Sequence, residues 1–153
     1  MVKDLFYKTF GNHAYTLPEL HTAFTKIEGI LNSRPIQPLS ASPDDLEPLT
    51  PGHFIIGQAI NAIPEPDFQD IPPGQLNRWQ LIRERVQFFW SRWKAEYLHS
   101  LQLRHKWDKT SPNLKIGDLV LLRDEDTSPA HWPMGRVQDV HPGEDGVVRV
   151  VTL

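Results

Sequence analysis

The sequence predicts an α+β protein that begins with helices and ends with strands. Apolar side chains first recur at the three- and four-residue spacing of amphipathic helices, and after Asn113 short strand-like runs alternate with turn signals. Prolines concentrate between Pro35 and Pro73, which indicates an extended connector between two more structured parts. We therefore predict a helical unit over residues 1–60, a Pro-rich linker over 61–75, a long basic amphipathic helix over 76–109 and a small β unit over 110–153.

Two amphipathic helices and a short third one are predicted before the linker. The first follows the apolar stripe from Val2 to Phe10. The second begins after the capping residue Thr16 and ends before Pro35, because proline disfavours helical backbone in the residue that precedes it. A short helix over 51–56 follows the same pattern of a threonine cap and a proline. The predicted buried side of the second helix consists of Leu20, Phe24, Ile27 and Leu31.

The strongest local pattern runs from Leu76 to about Lys106. Its apolar residues are three or four positions apart, and neither proline nor glycine interrupts them. A helix of this length would extend about 45 Å. Three tryptophans on one helix imply a large buried face, so we predict that its aromatic side chains are core residues rather than platforms for stacking bases. The stripe consists of Trp79, Ile82, Val86, Phe89, Trp93, Tyr97 and Leu101.

Three strand-like runs are predicted in the last unit, over residues 118–123, 134–140 and 147–152. Residues 115–118 would make a tight opening turn, and residues 142–146 contain the glycines that a hairpin turn needs at positive φ. Such runs are typical of consecutive strands of a small barrel. Because three strands leave two open edges, we expect a partner or further chain to complete that barrel.

Charge is strongly segregated along the chain, although the net charge is only −3. Residues 1–75 carry −5, residues 76–109 carry +5 and residues 110–153 carry −3. The basic helix is therefore a candidate surface for phosphate groups. Many solvated helices are equally rich in lysine and arginine, so charge alone leaves both interpretations open.

Composition argues against several classes of site. The chain has no cysteine, which excludes disulfides and zinc sites with thiolate ligands. His99 and His105 lie six residues apart, on opposite sides of a helix, and no His-x-x-x-His pair occurs. No apolar stretch reaches the roughly 18 residues that span a bilayer. We therefore expect an intracellular protein without membrane contact.

Several segments together resemble one family. The segment Ile27-Glu-Gly-Ile-Leu-Asn-Ser-Arg-Pro-Ile36, followed by Leu49-Thr-Pro-Gly-His-Phe-Ile-Ile-Gly57, resembles the end of the integrase catalytic domain in Pao/BEL-type retrotransposon polyproteins. The resemblance continues into that family's C-terminal region and covers nearly the whole chain. The segments that carry this continuation are Phe89-Trp-Ser-Arg-Trp93, Gly117-Asp-Leu-Val-Leu-Leu122, Trp132-Pro-Met-Gly-Arg-Val137 and Gly146-Val-Val-Arg-Val-Val151.

The resemblance implies a catalytic mechanism that this chain carries only in part. The family's catalytic domain is similar to ribonuclease H and holds two Mg²⁺ or Mn²⁺ ions with two aspartates and a glutamate; Glu28 matches that glutamate. Nothing strand-like precedes Glu28, and the only earlier aspartate, Asp4, lies in the first predicted helix. Glu28 would bind metal only if the missing aspartates were supplied. We therefore expect no cofactor in this chain and no enzyme activity from the chain alone.

For the last unit, the resemblance implies an incomplete SH3-like barrel that helps to hold DNA ends, with the nucleus as its location. The expected fold is thus a helical remnant of a ribonuclease H-like core, a long amphipathic helix and a partial SH3-like barrel. The expected partners are DNA, bound through its phosphates, the remainder of the integrase polyprotein, and a second copy of the chain. The candidate DNA-contacting residues are Arg78, Arg83, Arg85, Arg92, Lys94, Arg104, Lys106, Lys115, Arg123, Arg136 and Arg149.

An alternative function is that of an assembly module without nucleic-acid binding. In this interpretation the aromatic helix drives oligomerisation and the barrel binds a protein partner. The two functions differ in salt response, because phosphate binding weakens steeply with salt whereas apolar burial does not. A decayed reading frame with no present function would have the same sequence. We also expect that residues 1–60 do not fold in isolation, since they lack a sheet against which their helices would pack.

Overall fold

The computed structural model describes residues 2–11, 13–40, 42, 44–61, 63, 65–102, 112–124 and 127–153. Within these ranges the chain is an α+β protein. Its helices are α1 (Val2–Phe10), α2 (Leu17–Asn32), α3 (Pro51–Ile56) and α4 (Arg78–Leu101), with a single 3-10 turn at Pro73–Gln75. Its strands are β1 (Gln37–Pro38), β2 (Pro48–Leu49), β3 (Leu119–Leu121), β4 (Met134–Arg136), β5 (Asp139–Pro142) and β6 (Val148–Thr152).

The three helices predicted before the linker are confirmed, and their ends follow local chemistry. At the start of α2, the Thr16 backbone N–H donates to the Glu19 carboxylate over 2.7 Å, and the Thr16 side chain accepts from the backbone of Glu19 in return. α2 ends at Ser33, two residues before Pro35. α3 ends at Gly57, whose φ of 78° lies in the left-handed region that glycine adopts without strain.

The long helix α4 is shorter than predicted. Asn77 caps it, because its side chain accepts from the Gln80 backbone N–H, and the helix ends at Leu101 with Gln102 in extended conformation. Residues 103–111, where the prediction continued, lie outside the described residues. The helix thus ends at Leu101, the last residue of the predicted apolar stripe, and Leu101 is exposed.

α4 is the centre of the core. α1 packs against it through Leu5 and Phe10, and α2 packs against it through Ala23, Ile27 and Ile30. The predicted buried side of α2 was therefore only partly right. Ile27 is buried, but Phe24 is 52% exposed, because the packed stripe of α2 is rotated toward Ala23 and Ile30.

The prediction that the aromatic residues of α4 are core residues is confirmed for most of them. Phe89, Trp90 and Trp93 are buried, whereas Trp79 is 55% exposed at the start of the helix. Trp132 lies between β3 and β4, and its ring packs against that of Trp90 at a centroid distance of 4.9 Å. The helical part and the β part of the chain thus share one core.

The Pro-rich segment predicted as a linker over 61–75 contains the 3-10 turn Pro73–Gln75, and part of its described stretch packs against α4. Phe68 is buried, and its backbone N–H donates to the Gln87 side chain over 3.0 Å. Gln87 in turn donates to the Pro66 carbonyl over 2.8 Å. The segment therefore connects two parts of one core rather than two cores.

The last part of the chain forms four short strands instead of the three predicted. β3 pairs with β4 and β5 pairs with β6, both antiparallel. The predicted strand 134–140 is divided because the Val137 side chain turns inward and is 1% exposed, while the Gln138 N–H already donates to Thr152 of the second pair. Among the described residues these strands form separate two-stranded sheets, neither of which closes into a barrel. No helix of the described ranges is long and apolar enough to cross a membrane.

Candidate nucleic-acid and protein interface

Two segments that carry the family resemblance meet in space. The Trp132 indole N–H donates to the Ser33 hydroxyl over 3.1 Å, and this hydroxyl donates to the Ile30 carbonyl over 2.8 Å. The Tyr97 hydroxyl donates to the Pro35 carbonyl over 2.7 Å, and burial raises the pKa of Tyr97. The end of α2 is therefore fixed against α4 and the β part by side chains from both.

Arg136 makes a second contact between the β part of the chain and the region that follows α2. Its guanidinium donates to the Asp45 carbonyl and to the Gly117 carbonyl, each over 2.7 Å, and to the Ser40 carbonyl over 3.4 Å. It thereby joins β4 to the loop between β1 and β2. These contacts use the donors that Arg136 would need for a phosphate, so we leave it out of the candidate DNA surface.

Glu28 lies at the rim of an open apolar groove between α1 and α2, which we call the α1/α2 face. Phe6 and Phe24 stack within it at a centroid distance of 4.9 Å, and Tyr7 is 61% exposed beside them. The groove has a volume of about 770 Å³, and Lys3 also lines it. Exposed aromatic side chains that line one groove are a feature of surfaces that bind another molecule.

The described residues do not provide a site for a pair of metal ions around Glu28. Divalent magnesium or manganese needs several oxygen ligands, and the other charged residues that line the groove are Lys3 and Arg34. Within the described ranges no three histidine, aspartate or glutamate side chains are grouped as metal ligands would be. We therefore derive no metal-dependent step from this chain.

Three of the predicted DNA-contacting arginines on α4 are paired with carboxylates. Arg78 donates to Glu19 over 2.5 and 2.7 Å. Arg83 lies 3.7 Å from Glu65, which also accepts from Lys26 over 2.6 Å. Arg85 lies 3.4 Å from Glu84 and 3.3 Å from the His13 ring. Carboxylates from other segments, Glu19 and Glu65, therefore compensate Arg78 and Arg83, whereas the partner of Arg85 is Glu84 of α4 itself.

Lys94 is buried and serves the fold. Its ammonium donates to the Asp124 carbonyl and to the Thr127 hydroxyl, each over 2.6 Å, and lies 5.5 Å from the centre of the Trp90 ring. A phosphate could reach this ammonium only if it displaced Asp124 and Thr127. The sequence predicts Lys94 as a DNA-contacting residue, because a local pattern cannot show that α4 is covered on several sides.

The remaining candidates are dispersed. Arg92 is exposed on α4 over the Phe88 ring, and Lys115 and Arg123 are exposed near β3. Arg149 pairs with Asp145 over 2.6 Å, and the hydrogen bond from Arg149 lowers the pKa of Asp145 to about 2. Arg104 and Lys106 lie outside the described residues.

Sequence reasoning missed the carboxylates that neutralise α4. Glu19 lies in the first turn of α2, and its pairing with Arg78 spans 59 positions. Glu65 lies in the Pro-rich segment and received no role. A local pattern carries no signal for such long-range pairs, although the −5 charge of residues 1–75 beside the +5 of the basic helix was consistent with them.

Acid is expected to remove the stabilising contribution of Glu19. The hydrogen bond from Arg78, followed by the one from the Thr16 backbone, lowers the pKa of Glu19 from 4.5 to about 2. A group with a lowered pKa stabilises the fold above its unfolded pKa, and this contribution is lost as the pH falls from about 4.5 to about 2. Over this range the Tm of the parent should fall more steeply than that of Glu19→Gln. Parallel curves of Tm against pH would contradict the assignment, because the other carboxylates are common to both proteins.

Comparison with known proteins identifies one family. The profile of a family of unknown function (DUF5641) matches residues 77–153, which begin at the cap of α4 and include the strands β3 to β6. No curated protein matches the chain, and no solved structure does. Since the profile covers half of the sequence, the chain belongs to the DUF5641 family.

Proposed function

We propose that the chain is a non-catalytic part of a retrotransposon integrase polyprotein that acts in DNA integration by assembly with the remainder of that polyprotein. The observation that carries this proposal is the open α1/α2 face, with Glu28 at its rim. The aromatic face of α4 cannot serve assembly as the sequence suggested, because Phe89, Trp90 and Trp93 lie in the chain's own core. The exposed aromatic rings Tyr7 and Phe24 of the α1/α2 face provide an alternative surface for it.

The proposed fold relationship extends to both ends of the chain. In it, α1 to α3 correspond to the last helices of a ribonuclease H-like core, and the pairs β3–β4 and β5–β6 correspond to an incomplete SH3-like barrel. The order of helices before short antiparallel strands supports this correspondence. The contact of Ser33 with Trp132 supports the view that both regions work as one unit.

Removing an aromatic ring from the α1/α2 face tests the assembly role. We expect Phe24→Ala to weaken binding to the upstream catalytic segment of the same polyprotein roughly 30-fold, as truncation of a central interface residue does. Phe54→Ala is the matched control, because Phe54 is 75% exposed but lies on α3 outside this face. Titration calorimetry measures both affinities. Equal effects of the two substitutions, or no binding by the parent, would contradict the assembly role.

DNA binding through phosphates is the second candidate function. Two arginines that form ion pairs on α4 are nevertheless exposed: the Arg78 side chain is 64% exposed and that of Arg83 is 44% exposed. This exposure would let a phosphate replace the carboxylate partner of each arginine. A salt titration with a labelled duplex measures it. If Arg83 and the exposed Arg92 both contact phosphates, the Arg83→Glu, Arg92→Glu double variant should lower the slope of log affinity against log salt by about 2, since each contact contributes about 0.9.

Lys8→Glu is the control for that titration. It reverses one exposed charge on α1, outside the candidate set, and should leave the slope unchanged. An equal effect of Lys8→Glu would indicate attraction by net charge alone. The absence of binding at low salt would remove DNA binding and leave the assembly role.

A further inference from the structure

A pocket separate from the α1/α2 face lies between α2, α4, the residues Ile60, Ile63 and Glu65, and the turn at Pro129. Its volume is about 260 Å³, and most of its lining is apolar. It is concave, whereas the α1/α2 face is broad and open. A pocket near the lower end of the size range for small-molecule sites, roughly 300 Å³, accommodates a small ligand rather than a folded partner. The apolar lining consists of Ile30, Ile60, Ile63, Val86, Pro129 and Ala130.

The polar edge of this pocket has more positive than negative charge. Glu65 accepts from Lys26 over 2.6 Å and lies 3.7 Å from Arg83, so two cations share one carboxylate. The contact with Arg83 is the longer of the two and the easier to replace. An apolar pocket with one uncompensated cation at its edge is complementary to a ligand that has an apolar body and one negative group.

One part of the pocket wall has an unusual backbone. Ala130 has a φ of 63°, the one positive φ among the described non-glycine residues. An L-residue adopts this left-handed conformation only where its surroundings impose it, and such residues are frequent at binding sites. The turn at Ala130 places the small alanine side chain, rather than a larger one, at the pocket wall.

We propose that this pocket binds a small amphipathic carboxylate, with its apolar chain among the isoleucines and its carboxylate at Lys26 and Arg83. This site is independent of the proposed role in integration. Because the ligand contacts α2, α4 and the turn before Trp132 at once, its binding stabilises the junction of the helical and β parts through mass action. The bound carboxylate takes over part of the contact that Glu65 makes with Arg83.

Titration with decanoate, below its micelle concentration, tests the site on the full chain. We expect decanoate to bind and to raise the Tm, and to bind more tightly than decanol, which has no charge. Arg83→Gln should weaken decanoate binding roughly fivefold, whereas Glu65→Gln should tighten it, because the first removes a cation and the second removes the competing carboxylate. Lys8→Gln, which removes a cation far from the pocket, should change neither.

A blocking variant tests the position of the apolar chain. A side chain at Gly29 would start at the pocket wall, 3.7 Å from Ile60, so Gly29→Leu should fill the pocket and abolish decanoate binding. Its Tm without ligand reports whether it folds; if it does not, the opposite effects of Arg83→Gln and Glu65→Gln still decide. Equal binding of decanoate and decanol, effects of the same sign for those two variants, or no binding at all would overturn the proposal.

Discussion

Trp132→Ala should lower the free energy of unfolding by about 3–5 kcal/mol, the range for removing a large buried aromatic side chain. The Trp132 ring makes edge contacts with Trp90, Trp93 and Tyr97 at centroid distances of 4.9 to 5.7 Å. Its truncation would leave a cavity between the helical and β parts and would remove the hydrogen bond to Ser33. Urea denaturation followed by fluorescence and circular dichroism measures the change.

The matched control for this substitution is Trp79→Ala. Trp79 is also a tryptophan and belongs to the apolar stripe of α4, but it is largely exposed. Its truncation should change the free energy of unfolding by no more than about 0.5 kcal/mol, as at other surface positions. A similar loss at Trp79 and Trp132 would mean that Trp132 does not close the core over α4.

Arg136→Leu should destabilise the protein by about 2 kcal/mol. The substitution removes hydrogen bonds from a charged donor to the carbonyls of Gly117 and Asp45, and hydrogen bonds to charged groups contribute roughly 1.5–3 kcal/mol. It also releases the loop between β1 and β2 from β4. Hydrogen exchange of the amides of Leu39 and Glu47 should therefore become faster.

Arg92→Leu is the control for Arg136→Leu, because it removes the same charge from an exposed position on α4. It should leave both the free energy of unfolding and the exchange rates in the β1–β2 loop close to those of the parent. If Arg136→Leu were as mild as Arg92→Leu, Arg136 would be available for other contacts and would return to the candidate DNA surface.

Helix positions could be predicted from the sequence where the signal is local. The caps at Thr16 and Thr50 and the prolines beside them determine the start of α2 and of α3, and the structure confirms both helices. The end of α4 had no comparable signal. Its apolar stripe ends at Leu101, where the helix also ends. The buried residues of α4 end earlier, at Lys94, and only the tertiary structure shows where they end.

Burial within a helix was less predictable than the helix itself. Trp79 and Trp93 occupy equivalent places in the periodic pattern, yet Trp79 is exposed and Trp93 is buried, because α1, α2 and Trp132 cover only the middle of α4. Lys94 was misjudged for the related reason that α4 is covered on several sides. A basic side chain on a central helix is an internal anchor, whereas the same residue on a surface helix is a candidate contact for phosphate.

The candidate site was predictable to the extent that it depends on motifs. Glu28 and Ser33 belong to one segment that carries the family resemblance. Glu28 lines the α1/α2 face, and Ser33, just after α2, contacts Trp132. The charge partners Glu19 and Glu65 were not predictable as partners, since each is far along the chain from its arginine. The pocket beside Ala130 also had no sequence signal, because its wall is formed by four separate segments.

The contact between Ser33 and Trp132 has a consequence for how the protein is made. The two residues are 99 positions apart, and a ribosome that adds about 5–20 residues per second needs roughly 5 to 20 seconds to travel from one to the other. Only in the last part of that interval, over the 31 residues from Leu101 to Trp132 (132 − 101), does the nascent chain contain α1 to α4 without the indole that closes the core over Trp90 and Trp93. Aromatic surface is therefore open until Trp132 is synthesised, which makes this the stage at which a chaperone would bind or neighbouring nascent chains would aggregate.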